Sequence, residues 1–251
     1  MMHTAMNEFH LSLASAPALA IFRDIPEERA KLGTLLFYHG FRESKDSYLP
    51  VLQRLAEAGF LVVGIDAIGH GERRYPDFHQ RFPPLEPHLS GNVQLEAAFL
   101  STVRATAQEV PLIIDALIKR GWAHAERIGI AGHSFGGFVT YAAVIADKRI
   151  QIAASVAGSP QWKLPWPESP HLHLERFFPV ALLSQVGSRD TNVRPEFART
   201  LHHQLLPYYA QAPERLRYIE YPDASHDLSA RDWEQAWSMV AAWFIAHLPP
   251  L

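Results

Sequence analysis

The chain has 251 residues, 48% of them hydrophobic, which is enough for a large buried core and fits one α/β domain as readily as two smaller ones. A formal net charge of −3 gives neither the basic footprint of a nucleic-acid binder nor a surface attracted to anionic membrane. Cysteine is absent, so a disulfide framework, a thiol nucleophile and a thiolate metal site are excluded.

Residues 11–20 are apolar, but no Lys or Arg precedes Arg23, Glu8 stands where a leader needs positive charge, and Pro17 interrupts the run. The segment reads as two short strands and not as a signal peptide. No stretch approaches the roughly 18 apolar residues that span a bilayer, so the expected setting is the cytoplasm, with no membrane partner. Apolar strand-like runs follow at 35–38, 61–65, 128–131, 152–156, 180–186 and 216–221. Helix-like stretches lie between and after them, at 48–58, 93–120, 138–146, 195–206 and 230–247. Pro111 removes a backbone donor inside the long helix and predicts a kink or break there. In the last helix Trp233, Ala236, Trp237, Val240, Ala241 and Phe244 keep a helical period, which marks a core-facing stripe. Near-continuous hydrophobicity in the strands means cover on both faces. Alternation of strand and helix then predicts an α/β fold, a mostly parallel sheet with helices on both sides.

No repeat or composition break divides residues 1–251, and a single domain is expected. Segments 72–92 and 158–179 resist the pattern. Both are rich in proline and aromatics, long for connections, and too short for a large cap domain. They are predicted to wall a compact apolar pocket through Tyr75, Phe78, Phe82, Trp162 and Trp166.

The most informative run is Gly132-His133-Ser134-Phe135-Gly136. A Gly-x-Ser-x-Gly match is expected by chance roughly 0.05 times in a chain of this composition. Here it also sits between a strand-like and a helix-like stretch. A serine on such a sharp turn has its hydroxyl pushed into the open, and glycines on both sides let the backbone pass closely.

A serine hydroxyl is a weak nucleophile without a base to take its proton and a group to orient the base. Asp190 follows the strand at 180–186, at the carboxyl end where functional groups gather in open sheets. His226 is the only histidine between the last strand and the terminal helix. Asp223 and Asp227 are rival acids, but each lies only a few residues from His226. The oxyanion formed by attack on a carbonyl needs two backbone donors. The amides of Phe135, directly after the serine, and of Phe41, in the loop His39-Gly40-Phe41, are the candidates. Arg42 reads as a solvent-facing side chain, with a substrate carboxylate anchor as the alternative. His171, His173 and Glu175, and the pair His202-His203, lack the further spacing of a metal site, so no metal is expected. Gly64, Gly69 and Gly71 do not form a dinucleotide-binding turn, and no cofactor is expected.

These pieces, with Asp66-Ala67-Ile68-Gly69-His70-Gly71-Glu72-Arg73, Gly187-Ser188-Arg189-Asp190 and Ser225-His226, resemble the α/β-hydrolase superfamily. Within it they are similar to bacterial esterases of the dienelactone-hydrolase-like group, from about residue 30 onward. True dienelactone hydrolases use a cysteine nucleophile, and this chain has serine at 134. The resemblance implies a serine esterase acting on a small-molecule ester, with a thioesterase or acyltransferase, or a non-catalytic binding protein of the same fold, as alternatives. It assigns no oligomeric state.

Overall fold

The computed structural model describes residues 6–83 and 92–248. Residues 84–91, part of the predicted 72–92 wall, lie outside the described residues. The strands are β1 (Met6–Leu13), β2 (Ala16–Arg23), β3 (Thr34–Tyr38), β4 (Leu61–Ile65), β5 (Ile128–His133), β6 (Ile150–Val156), β7 (Ala181–Gly187) and β8 (Leu216–Tyr221). The helices are α1 (Pro26–Ala30), α2 (Leu49–Glu57), α3 (Phe78–Arg81), α4 (Val93–Lys119), α5 (Phe135–Ala146), α6 (Pro195–Leu205) and α7 (Ala230–His247).

All eight strands form one sheet in the order β1-β2-β4-β3-β5-β6-β7-β8. β1 and β2 make an antiparallel hairpin, β2 pairs antiparallel with β4, and every later pairing is parallel. The hairpin turns on Ala14 and Ser15, both at positive φ (48° and 74°), the conformation that matches the twist of a two-residue hairpin. The inner strands alternate between two apolar layers, as a side-chain period of two requires. Leu35, Phe37, Val62 and Leu183 face α2 and α7, whereas Leu36, Tyr38, Val63 and Leu182 face α4 and α5. Both faces are therefore covered, and a fully buried leucine or phenylalanine there contributes about 1.5–3 kcal/mol.

The predicted stripe of α7 is buried at Ala236, Trp237, Val240 and Phe244, and the Ser229 hydroxyl accepts from Asp232 N at the helix start. α4 begins at an Asn92 cap, whose side chain accepts from Leu95 N. Its 27 residues run through Pro111 without the expected break, so the proline removes one hydrogen bond without ending the helix. The helix expected from 138 begins three residues earlier, at Phe135, because the turn after β5 enters it directly. The two irregular segments hold short turns of their own: α3 in the first, and 3-10 turns at Pro170–Leu172 and Leu174–Arg176 in the second. Among the described residues no helix is long and apolar enough to cross a membrane.

Candidate active site

Ser134 stands between β5 and α5 at φ 51° and ψ −111°, outside the regions a serine adopts freely. A residue held there stores about 1–3 kcal/mol of strain. Its surroundings over-determine it: Ser134 N donates to Val156 O (2.8 Å) on β6, and Gly136 N to His39 O (3.0 Å) beyond β3. The flanking glycines are needed for space. A Cβ on Gly132 would lie 2.8 Å from Gly136 Cα, and one on Gly136 would lie 2.9 Å from His39 O and closer still to Tyr38 O.

The loop after β8 brings His226 to the serine, with Nε2 2.9 Å from Ser134 Oγ. The loop after β7 brings Asp190, whose Oδ2 is 2.7 Å from His226 Nδ1. The Asp190 side chain is fully buried. Its other oxygen accepts from Asn192 N (2.9 Å) and Val193 N (2.8 Å), so one side chain closes the turn before α6 and also faces the imidazole. With Nδ1–H directed at the carboxylate, Nε2 presents its lone pair to the serine hydroxyl. The rival acids are placed elsewhere. Asp223 is exposed and pairs with Arg189, and Asp227 is exposed, with its main-chain carbonyl accepting from Ser225 Oγ.

The amides of Phe41 and Phe135 have no acceptor among the described residues, although Phe135 is fully buried. The loop that carries Phe41 is fixed by His39, which is itself buried. His39 Nδ1 donates to Gly40 O (2.8 Å) and Nε2 accepts from Ala67 N (3.0 Å). Burial holds this ring below the ordinary histidine range, and both nitrogens are occupied by backbone. Arg42 differs from the solvent-facing reading. It is half-buried, and its guanidinium donates to Phe82 O (3.1 Å) and Pro83 O (2.9 Å), stapling the loop after β3 to the first irregular segment.

The predicted wall residues fall into two groups. Phe78 and Phe82 are each 1% exposed and pack on Phe41, with ring centroids 5.9 and 4.9 Å away. They back the loop of Phe41 from the core. Tyr75 lies partly buried against the same cluster. Trp162 and Trp166 form an edge-to-face pair at 6.1 Å in the other segment. Trp162 lines a cavity of about 530 Å³ with Ala107 and Pro111 of α4 and Ala142 and Ile145 of α5. Three of the four candidate metal-binding histidines have other partners, and His203 is exposed. His202 is buried on Ser184 Oγ (2.7 Å) and pushed down to about 3 by desolvation, His171 bonds Ser169 Oγ (2.8 Å), and His173 bonds Pro167 O (2.7 Å). Sequence reasoning missed Glu43, Tyr48 and His133, which form a polar cluster beside Ser134. Only the place of His133 inside the motif offered a signal for them.

A family model described as Serine aminopeptidase, S33 (Hydrolase_4) matches residues 29–205. The chain belongs to this serine aminopeptidase family. The matched span of this Hydrolase_4 member includes Ser134 and Asp190, and His226 lies beyond it. YitV of Bacillus subtilis (strain 168), an esterase by name, is 26% identical over 244 residues, covering 86% of this chain and 90% of that one. TT1662 of Thermus thermophilus superposes with a TM-score of 0.74 at 23% identity, over 96% of this chain and 98% of that one. A Klebsiella pneumoniae structure assigned as a dienelactone hydrolase gives 0.63 at 17% identity, over 96% and 98%. The Hydrolase_4 chain thus has the α/β-hydrolase fold and is a hydrolase with esterase relatives.

Proposed function

We propose that this protein cleaves small carboxylic esters through an acyl-enzyme, with Ser134 as nucleophile, His226 as base and acid, and Asp190 orienting the imidazole. The observation that carries this reading is the unbroken chain from Ser134 Oγ to His226 to Asp190, at 2.9 and 2.7 Å, beside two unpaired amides. In the first half, Ser134 Oγ bonds to the ester carbonyl carbon as its proton passes to His226 Nε2. The carbonyl oxygen becomes an oxyanion and accepts from Phe41 N–H and Phe135 N–H. The imidazolium, stabilised by Asp190, then gives its proton to the alcohol oxygen as the C–O bond breaks. In the second half, water attacks the acyl-enzyme with His226 as base, and the acid leaves with Ser134 restored.

The esterase name of the B. subtilis relative and the apolar side chain of Phe41, backed by Phe78 and Phe82, support esters over charged substrates. The dense aromatic packing behind Phe41 supports short acyl groups. We also propose that residues 1–251 act as one domain, since all eight strands belong to a single sheet.

The test is a p-nitrophenyl ester panel from acetate to palmitate, with Ser134→Ala as control and a fluorophosphonate as active-site label. The family description brings aminoacyl anilides into the same panel. Wild-type turnover of butyrate and covalent labelling, both lost in Ser134→Ala, are expected. A wild type that neither turns over esters nor reacts with the label would sink the reading.

A further inference from the structure

The two unpaired amides sit on separate pieces of chain. Phe41 hangs on the loop after β3, and Phe135 opens α5. Tyr48 lies on neither. It ends the 3-10 turn Lys45–Tyr48 and is 4% exposed. Its hydroxyl nevertheless meets both pieces: Gly40 N at 3.2 Å and His133 Nδ1 at 2.7 Å. Gly40 directly precedes Phe41, and His133 directly precedes Ser134 and its neighbour Phe135. The third partner is Glu43 Oε2, at 2.6 Å.

The hydroxyl has one proton to give. It goes to the Glu43 carboxylate, because a bond to an ionised acceptor is the strongest available there. The oxygen then accepts from Gly40 N–H and from His133 Nδ1–H. Burial, with repulsion from His226 adding to it, pushes the His133 ring down to about 3. The ring is therefore neutral, and its single proton sits on Nδ1. Packing holds the arrangement: the Tyr48 ring lies 5.1 Å from Phe37 and 6.1 Å from Trp233, and Trp233 meets His133 edge-on at 4.9 Å. The close approach needs glycine at 40, since a Cβ there would lie 2.8 Å from the Tyr48 hydroxyl.

We infer that Tyr48 is a positioning residue that sets the spacing of the two oxyanion-binding amides, its hydroxyl being the shared acceptor and Glu43 the group that keeps it so. This rests on the reading of Phe41 and Phe135 as oxyanion donors. Tyr48 touches no reacting atom and acts through Gly40 and His133. Donors aimed at an oxyanion stabilise charge that develops only in the transition state. A misplacement of about 1 Å costs up to about 10²-fold in rate. Loss of the hydroxyl therefore lowers kcat and leaves KM.

The experiment compares wild type, Tyr48→Phe, Glu43→Ala and Tyr209→Phe on p-nitrophenyl butyrate. It also measures their affinity for a matched trifluoromethyl ketone, which adds to the serine and places an oxyanion between the amides. Tyr48→Phe keeps the ring; kcat should fall about 10- to 100-fold with KM within about threefold, and ketone affinity should fall in parallel. Glu43 is exposed, so Glu43→Ala folds without it. It frees the Tyr48 proton to turn toward His133 and should lower kcat at least about threefold at constant KM. Tyr209→Phe deletes a buried hydroxyl bonded to Phe177 O and Val180 O and should leave kcat unchanged. A folded Tyr48→Phe with wild-type kcat, or one whose loss is all in KM with ketone affinity intact, overturns the inference. If Tyr48→Phe does not fold, wild-type kcat in Glu43→Ala overturns it. These outcomes differ from failure of the underlying reading, in which wild type is inactive or Ser134→Ala retains full activity.

Discussion

At Ser134 the chain holds a strained backbone, an open hydroxyl and an imidazole within one hydrogen bond. Such groups act as a unit, and removing one removes most of what all supply. Ser134→Ala and His226→Ala should each lower ester turnover by about 10³-fold or more, and the double variant should cost little beyond either. Losses that multiply in the double variant would break the shared assignment. Asp190 allows a finer test, because its two oxygens do different things. Asp190→Asn keeps an acceptor for Asn192 N and Val193 N but leaves the imidazolium unstabilised; a fall in kcat of up to about 10⁴-fold, with near-normal stability, is expected. Asp190→Ala should lose the turn as well, lowering stability by about 1–2 kcal/mol in urea unfolding. Asp223→Asn should be mild, since Asp223 faces Arg189 and solvent. A collapse there, with Asp190→Asn near normal, would move the acid to the histidine loop.

The turn from β5 into α5 is the least forgiving element. The atoms a Cβ on Gly136 would meet are main-chain oxygens of Tyr38 and His39, which cannot rotate aside. Gly136→Ala should destabilise the fold by about 3 kcal/mol or more, or abolish soluble expression. Equal stability to wild type in denaturant would show the turn to be looser than this geometry. Buried histidines add a pH dependence. His70 on the loop after β4, His133 on β5 and His202 on α6 are held down to about 4, 3 and 3, in each case mainly by burial. In the unfolded chain the same rings take up a proton near pH 6.5. Below that pH the unfolded state binds more protons, so stability falls on acidification until the folded values are reached. Each ring contributes a slope of about 1.4 kcal/mol per pH unit inside that window. Replacing His202 by Gln should flatten the acid limb between pH 6.5 and 4, and replacing the exposed His203 should not. Unfolding curves with identical acid limbs for the wild type and the His202 variant would refute the assignment.

For the whole molecule, the site lies at the carboxyl ends of the parallel strands, where loops from β3, β5, β7 and β8 converge. The aromatic cluster of Phe41, Phe78, Phe82, Phe99 and Phe135 fills the space behind the loop after β3. If that packing limits the space for an acyl chain, as the proposed function requires, acetate to hexanoate esters should be preferred over long-chain lipids. A methylene changes selectivity in an apolar pocket by only about 1–3 kcal/mol, so neighbouring chain lengths should differ modestly. Phe78→Ala should open the wall and shift the preference to longer chains, at a cost of about 3–5 kcal/mol in stability. Wild-type hydrolysis of long-chain triglyceride with poor turnover of butyrate would defeat this. Trp162, lining the cavity between α4 and α5, should affect chain length less than Phe78.

The order of elements was legible because the six parallel-region strands are short, nearly continuous apolar runs and α7 keeps a helical period. The elbow was legible for a similar reason: a strained serine between two close backbone passes demands glycine at fixed spacing, whatever surrounds it. The continuity of α4 through Pro111 was not, because packing on α5 outweighs the loss of one hydrogen bond. Nor was the burial of Phe78 and Phe82, since a loop aromatic has the same local sequence whether it faces solvent or core. Which carboxylate stands against His226 depends on the pairing of β7 beside β8 and on Arg189 drawing Asp223 outward. The hydroxyl shared by Gly40 and His133 comes from Tyr48, 85 residues before that histidine, and the turn carrying it has no signature. Local chemistry set the serine turn and the elements by sequence alone. The groups that hold it in register meet only across the sheet, through long-range packing that no single stretch of chain encodes.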